Sequence, residues 1–145
     1  MSKDKFSVTG RVRIEMVREN GGIEDEEFGN LVVTVGKAHI ASRISGVAMP
    51  TAIGWIAVGT GTNAPAAGDT ALQTELYREA CAVNPSANTV QYQTTLSAGE
   101  ATGALTEAGL FNAAAAGDMP CRVTFPVKNK AAGDAMTITW TLTVN

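Results

Sequence analysis

The chain has 145 residues, of which 45% are hydrophobic and 17% charged, and its formal net charge is −3. This length suits one domain that buries its own core, and the apolar content excludes bulk disorder. The basic residues are few and scattered, which argues against nucleic acid as a partner, because nucleic-acid binding relies on clustered Lys and Arg. We therefore predict a single domain spanning residues 1–145.

The first six residues contain no apolar signal-peptide segment, and no apolar run is long enough to cross a membrane. We therefore expect folding in a cytoplasm and no membrane partner. The two cysteines, Cys81 and Cys121, lack a C-x-x-C spacing. Two reduced, buried thiols are favoured over a disulfide, because cytoplasm keeps thiols reduced.

The first predicted element is a strand from Phe6 to Val17, because apolar and polar residues alternate there. Gly10 falls on its apolar side and indicates a bulge or a close backbone approach. Asn20-Gly21-Gly22 ends this strand. The acidic residues that follow are predicted to form a solvated loop and are candidate contacts with a basic patch on a partner. These residues are Glu24, Asp25, Glu26 and Glu27.

One short helix is predicted from about Val33 to Ile44, with Asn30 as a candidate N-cap and Gly46 as its stop. Its packing face is predicted from apolar residues at helical spacing. These residues are Leu31, Val35, Ala38 and Ala41. His39, the only histidine, lies within the helix, and a structural role is favoured because no nucleophile motif accompanies it.

The middle of the chain is predicted to contain two strands and one helical turn. The first strand runs from Ile53 to Val58 and ends in Gly59-Thr-Gly61-Thr. That glycine-rich turn lacks the Gly-Lys-Thr of a phosphate loop and is interpreted as a strand end. Asp69 is predicted to cap a single helical turn. The second strand runs from Tyr77 to Val83 and is expected to stop at Asn84-Pro85.

In the second half of the chain, apolar and polar residues alternate most clearly. Strands are predicted at Val90–Leu96, Leu105–Phe111, Cys121–Val127 and Met136–Val144. Trp55 and Trp140 are expected in the core. Seven or eight short strands with one helix predict a mainly β fold, an antiparallel β-sandwich of jelly-roll or Greek-key type.

The tetrapeptide Ala-Ala-Gly-Asp occurs three times, ending at Asp69, Asp118 and Asp134. The unequal intervals exclude a solenoid or propeller repeat. We interpret the tetrapeptide as one turn used three times, with Gly at positive φ and Asp bonded to the following backbone.

No residue pattern predicts a catalytic, cofactor-binding or metal site. One histidine and two unrelated cysteines are too few ligands for zinc, and the spacing of an EF-hand calcium loop is absent. A carboxylate pair for glycoside hydrolysis could be drawn only from a set that any acidic protein offers. This set is Glu75, Glu79, Glu100 and Glu107. We therefore expect no enzyme activity, no cofactor and no small-molecule substrate.

Two stretches of the sequence resemble those of a known class of proteins. The first comprises Trp55-Ile-Ala-Val-Gly-Thr-Gly-Thr62, Asp69-Thr-Ala-Leu72 and Glu75-Leu-Tyr-Arg78. The second comprises Leu105-Thr-Glu-Ala-Gly-Leu-Phe-Asn112, Arg122-Val-Thr-Phe-Pro126 and the threonine-rich terminal strand. Here the chain resembles small virion proteins of tailed bacteriophages, either capsid cement (decoration) proteins or tail-fibre or baseplate components. The resemblance implies a β-sandwich in a virion part and leaves the part open.

The N-terminal strand and the terminal strand are predicted to be sheet edges, which can pair with a neighbouring chain. This makes the outward threonines Thr139, Thr141 and Thr143 candidate contacts. The favoured function is a cement protein that associates as a dimer or trimer and staples the major capsid protein on the outer capsid surface. A tail-fibre or baseplate module that binds tail proteins or a host receptor is the alternative.

Overall fold

The computed structural model describes residues 5–145, over which the chain forms ten strands and one helix. The elements are β1 (Val8–Val17), β2 (Ile23–Gly29), β3 (Leu31–Val32), α1 (Thr34–Ser45), β4 (Trp55–Gly59), β5 (Glu75–Ala80), β6 (Ala82–Ser86), β7 (Thr89–Leu96), β8 (Gly103–Phe111), β9 (Cys121–Lys130) and β10 (Ala135–Val144). Residues 1–4, part of the segment in which the sequence predicts no signal peptide, lie outside the described residues.

The strands form two antiparallel sheets of five strands each. Sheet A has the order β2-β1-β10-β7-β6, and sheet B has the order β3-β9-β8-β4-β5. The main core lies between them and takes side chains from both sheets, because alternate residues of each strand point inward. The predicted antiparallel β-sandwich with one helix is confirmed.

The centre of sheet A is formed by the two strands that the sequence predicts as edges. β1 pairs with β10 over its whole length, from Val8 opposite Val144 to Val17 opposite Ala135. Each also has a second neighbour, β2 for β1 and β7 for β10. The prediction that these strands are edges is therefore wrong. Both strands bury alternate apolar residues on the core side; on β10 these are Met136, Ile138, Trp140 and Leu142.

The acidic segment is a strand and not the predicted solvated loop. It forms most of β2, which pairs with β1 through a hairpin that turns at Gly21, where φ is 90°. Backbone pairing with β1 therefore decides the conformation, although the segment has no apolar alternation. Gly10 on β1 makes a close approach as predicted, since a Cβ there would lie 1.6 Å from Asn30 Oδ1.

The predicted strand from Tyr77 to Val83 is in fact two strands that belong to different sheets. The chain passes from β5 in sheet B to β6 in sheet A at Cys81, whose N–H donates to the Gly54 carbonyl at 2.9 Å. Pro85 lies within β6 and does not stop it. An edge strand tolerates proline because one side of its backbone needs no ladder hydrogen bonds.

The Ala-Ala-Gly-Asp turn has one geometry in two of its three copies. At Asp69 and Asp134 the carboxylate accepts from the N–H three residues earlier, at Ala66 and Ala131, and the aspartate N–H donates back to the same residue. The prediction that aspartate bonds the following backbone is therefore wrong. Positive φ occurs only in the third copy, at Gly117. No helical turn follows Asp69.

The helix α1 lies beside the end of sheet A at which β1 begins and β10 ends. It ends at Gly46 as predicted, in the left-handed conformation with φ of 69°. It begins after Val33, so Asn30 is not its N-cap. The Asn30 side chain instead accepts a hydrogen bond of 3.0 Å from Trp140 Nε1.

The buried face of α1 also differs from the prediction. Gly36 and His39 are buried, whereas Ala38 and Ala41 are exposed. The cause is a close contact with the loop before β9, because a Cβ on Gly36 would lie 2.1 Å from the Pro120 carbonyl oxygen. Only glycine allows the helix to approach this far, and the contact rotates its apolar stripe away from the core.

Two loops, residues 60–74 and 112–120, cover the outer face of sheet B. They complete a second apolar cluster, against which Trp55 is half-buried. The cluster comprises Ala57, Leu72, Phe111 and Met119. Trp140 is fully buried in the main core as predicted. Sheet A has a polar outer face, so the two sides of the sandwich differ.

Candidate functional site

The four acidic residues predicted as partner contacts lie along β2, and each is matched by a cation of the same chain. The pairs are Asp25 with Arg13 at 2.6 Å, Glu27 with Arg11 at 3.3 Å, Glu24 with Arg18 at 3.0 Å, and Glu26 with Lys128. The hydrogen bond from Arg13 lowers the pKa of Asp25 from its ordinary value. Much of the charge of this segment is therefore compensated within the chain.

The three threonines predicted as contacts lie on the outer face of sheet A, half-buried on a central strand. Thr139 Oγ1 accepts from Gln93 Nε2 of β7 at 2.9 Å. Thr141 lies opposite Gln91 and Thr143 opposite Thr89 in the same register. The backbone of β10 is already hydrogen-bonded to β1 and β7, so a strand of another chain cannot pair with it. A partner could contact these threonines only through their side chains on the outer face of sheet A.

A buried ion pair between Glu107 and Arg122 lies on the outer side of sheet B, beneath the 60–74 loop. Both side chains are almost fully buried, and Arg122 Nη2 donates to Glu107 Oε2 at 2.8 Å. Three backbone N–H groups of the loop also donate to this carboxylate, from Gly61 (3.0 Å), Gln73 (3.0 Å) and Thr74 (2.8 Å). Glu107 therefore holds the loop against the sheet.

The electrostatics of this centre favour the ionised carboxylate. Burial alone would raise the pKa of Glu107. The hydrogen bonds from Thr74, Arg122, Gln73 and Gly61 outweigh burial, and the pKa lies below its ordinary value. A carboxylate with this many donors and a buried guanidinium is held in one charge state, which suits a structural group better than a general acid.

Residues from both of the stretches singled out in the sequence, residues 55–78 and residues 105 onward, meet at this centre. Gly59 and Gly61 leave the space that the carboxylate fills, since a Cβ on either would lie 2.6 Å from Glu107 Oε1. Asp69 adds a second contact to Arg122 at 3.1 Å. The sequence prediction treated these residues as turn formers or weak acids and missed the centre. A charged residue inside an otherwise apolar strand was the available signal.

The remaining acidic candidates each have a separate partner. Glu75 pairs with Arg78 at 2.6 Å, Glu79 accepts from the Tyr77 hydroxyl at 2.7 Å, and Glu100 accepts from the Ser97 N–H at 2.8 Å. Among residues 5–145, no three His, Cys, Asp or Glu side chains form a group that could hold a metal ion.

His39 is buried on the inner side of α1, as a structural role requires. Its Nδ1 has no hydrogen-bond partner among the described residues. Burial lowers the pKa of His39, Arg43 lowers it further, and Asp118 opposes this shift. The imidazole is therefore neutral at pH 7. Both cysteines are free thiols; Cys121 is buried and Cys81 is half-buried.

An open apolar groove, which we call the helix groove, runs between α1 and the start of β1. It has a volume of about 830 Å³ and includes Phe6, Val8, Leu31, Lys37, Ile40 and Ile44 among its lining residues. Phe6 is 64% exposed and Ile44 71% exposed, which is high for apolar residues of this size. The sequence prediction missed this surface because it assigned the apolar stripe of the helix to the core.

The protein is therefore an antiparallel β-sandwich. Its buried Glu107–Arg122 pair stabilises the fold. No protein-family model, no curated protein and no solved structure matches the chain. None of the helical segments in residues 5–145 has the length and hydropathy needed to span a bilayer.

Proposed function

We propose that this protein is a non-enzymatic structural component of a tailed-phage virion, a cement protein that binds the major capsid protein on the outer capsid surface. The two phage-like stretches support the virion assignment. In the structure their residues form β4, β5, β8, β9 and β10 and the buried Glu107–Arg122 centre. They therefore specify a scaffold, and the binding surface must be sought elsewhere.

The observation that carries the proposal is the concentration of exposed apolar residues at one end of the sandwich. Half of the ten large apolar side chains that are exposed in residues 5–145 lie in α1, just after it, or on the strand ends beside it. These are Phe6, Ile44, Val47, Met49 and Val144. Contiguous apolar surface on a soluble domain marks a site that another protein covers.

The two sheets are joined by a shared core and by paired charges, which suits a cement protein. The two sheets share one core, and all four carboxylates of β2 are paired within the chain. A preorganised surface loses little conformational entropy on binding. Repetition over a capsid lattice, with self-association as a dimer or trimer, multiplies modest contacts into stable retention.

The test is co-sedimentation of the purified protein with expanded capsid shells that lack it and, in parallel, with isolated tails. Saturable binding to shells at a fixed ratio to the capsid subunit is the expected result. Binding to tails alone would replace the cement function by a tail-fibre or baseplate role, and binding to neither would refute a structural role in the virion.

A further inference from the structure

The helix groove combines an apolar floor with one basic side chain, Lys37, in its lining. Ile40 and Ile44 of α1 face Phe6 and Val8 across it, and Lys37 lies one helical turn before Ala41 on the same lining. Its volume of about 830 Å³ is enough for several side chains of a bound segment. No carboxylate is present among the described residues that line it.

The region around the helix groove differs from the rest of the described chain in its lack of ion pairs. Six of the ten basic residues in positions 5–145 form ion pairs with carboxylates of the chain, and the buried Lys130 donates to the Ser97 carbonyl. The three others form no ion pair within the described residues. They are Lys5, Lys37 and Arg43, which lie in α1 or next to Phe6.

Within residues 5–145, the exposed basic side chains that form no ion pair therefore lie on α1 or beside Phe6, and one of them, Lys37, lines the groove. The chain as a whole has a formal net charge of −3. α1 itself contains no acidic residue. A partner segment with apolar side chains flanked by carboxylates matches both features, because its apolar groups fill the groove while a carboxylate meets Lys37. A basic segment would meet like charge at the same border.

Resting on the proposed function for the identity of the partner, we infer that the helix groove binds an acidic, apolar segment of the major capsid protein. The apolar contacts supply most of the affinity, since burying an isoleucine side chain contributes about 1.5–3 kcal/mol, equivalent to about tenfold or more in binding. The charge of Lys37 supplies selectivity for acidic partners and faster association at low salt.

The first experiment measures fluorescence anisotropy with two short synthetic peptides, one of alternating leucine and glutamate and one of alternating leucine and lysine. The native protein is expected to bind the glutamate peptide at least about tenfold more tightly, with affinity falling as salt rises. Equal affinity for the two peptides, or no binding of the glutamate peptide, overturns the inference whatever the capsid shells do.

The second experiment repeats the shell co-sedimentation with groove variants and matched surface controls. Ile44→Ser and Lys37→Glu are expected to weaken binding about tenfold and severalfold, respectively. Ile23→Ser and Arg11→Glu are the controls, because Ile23 is 67% exposed, the Arg11 side chain is 69% exposed, and neither residue lines the groove. All four positions are exposed, so a thermal melt should confirm that each variant remains folded.

The outcomes separate the groove from the proposed function. If the native protein binds shells and the groove variants bind equally well, the groove inference is wrong and the cement function stands. If the controls weaken binding and the groove variants do not, the outer face of sheet A is the contact. If native protein binds the glutamate peptide but no shell, the groove is retained and its partner is not the capsid.

Discussion

The isosteric change Glu107→Gln should destabilise the protein strongly, because every donor around the carboxylate is fixed. Oε1 accepts from the N–H groups of Gly61 and Thr74, and Oε2 accepts from Gln73 and Arg122. An amide placed in either orientation turns its NH₂ toward two of these donors. It also leaves the buried Arg122 charge without its main counter-ion. Removing one partner of such a pair costs about 3–5 kcal/mol.

Urea unfolding at pH 7, followed by intrinsic tryptophan fluorescence, measures this free energy. Glu27→Gln is the matched control, since the Glu27 side chain is 53% exposed in its pair with Arg11. A surface pair of this kind contributes at most about 1 kcal/mol. A loss below about 1 kcal/mol for Glu107→Gln would refute the assignment of Glu107 as the centre that holds the 60–74 loop.

The pH dependence supplies a second check on Glu107. Its pKa in the folded protein lies below the ordinary value of 4.5. The unfolded chain therefore takes up the proton first, so the ionised group stabilises the fold fully above about pH 4.5. That stabilisation is lost as pH falls through the lower folded pKa. The difference in stability between the native protein and Glu107→Gln should be constant near neutral pH and shrink below pH 4.5.

Three further outcomes are expected. Trp140→Ala should cost about 3–5 kcal/mol in urea unfolding, because the indole is fully buried in the main core. Gly36→Ala should cost about 1–3 kcal/mol in the same assay, since the new methyl group would collide with the Pro120 carbonyl oxygen and push α1 outward. Burial raises the pKa of Cys81 to about 11 and that of Cys121 to about 12, so iodoacetamide at pH 8 should label both thiols slowly in native protein and rapidly in urea, as measured by mass spectrometry.

Each of these outcomes has a control or a result that contradicts it. Gly54→Ala should be nearly neutral, because nothing lies within 4 Å of a Cβ at that position. A cost below about 1 kcal/mol for Trp140→Ala would show that the apolar face of β10 is misplaced. If native Cys121 were labelled as fast as in urea, the two sheets would have to open at this position.

The strands of the second half were predictable because each carries its burial pattern in its own residues. On β10 every second residue from Met136 to Leu142 is buried, which is the alternation that the sequence shows. The order of strands was not predictable in this way. The same alternation suits a central strand and an edge strand, and the neighbours of β1 and β10 are chosen by distant pairing.

Two errors have a common physical cause, the compensation of a local signal by a distant residue. The acidic segment is predicted as a loop because its own residues do not show that cations of the paired strand and the distant Lys128 compensate its charge. The sequence predicts the wrong buried face for α1, because the contact between Gly36 and Pro120 sets the rotation of the helix. Long-range contacts of this kind leave no periodic trace in the sequence.

The pairing of β1 with β10 has a consequence for how the chain reaches this structure. Asn145 hydrogen-bonds Thr9 across the central pair, at a separation of 136 positions. During synthesis β1 can form a hairpin with β2, but β10, its partner on the other side, begins at Ala135 and leaves the ribosome much later. Until then the apolar residues Val12, Ile14 and Met16 lack half of their core. Folding of sheet A should therefore be slow and should wait for β10, with a period in which nascent chains are prone to aggregation and dependent on chaperones.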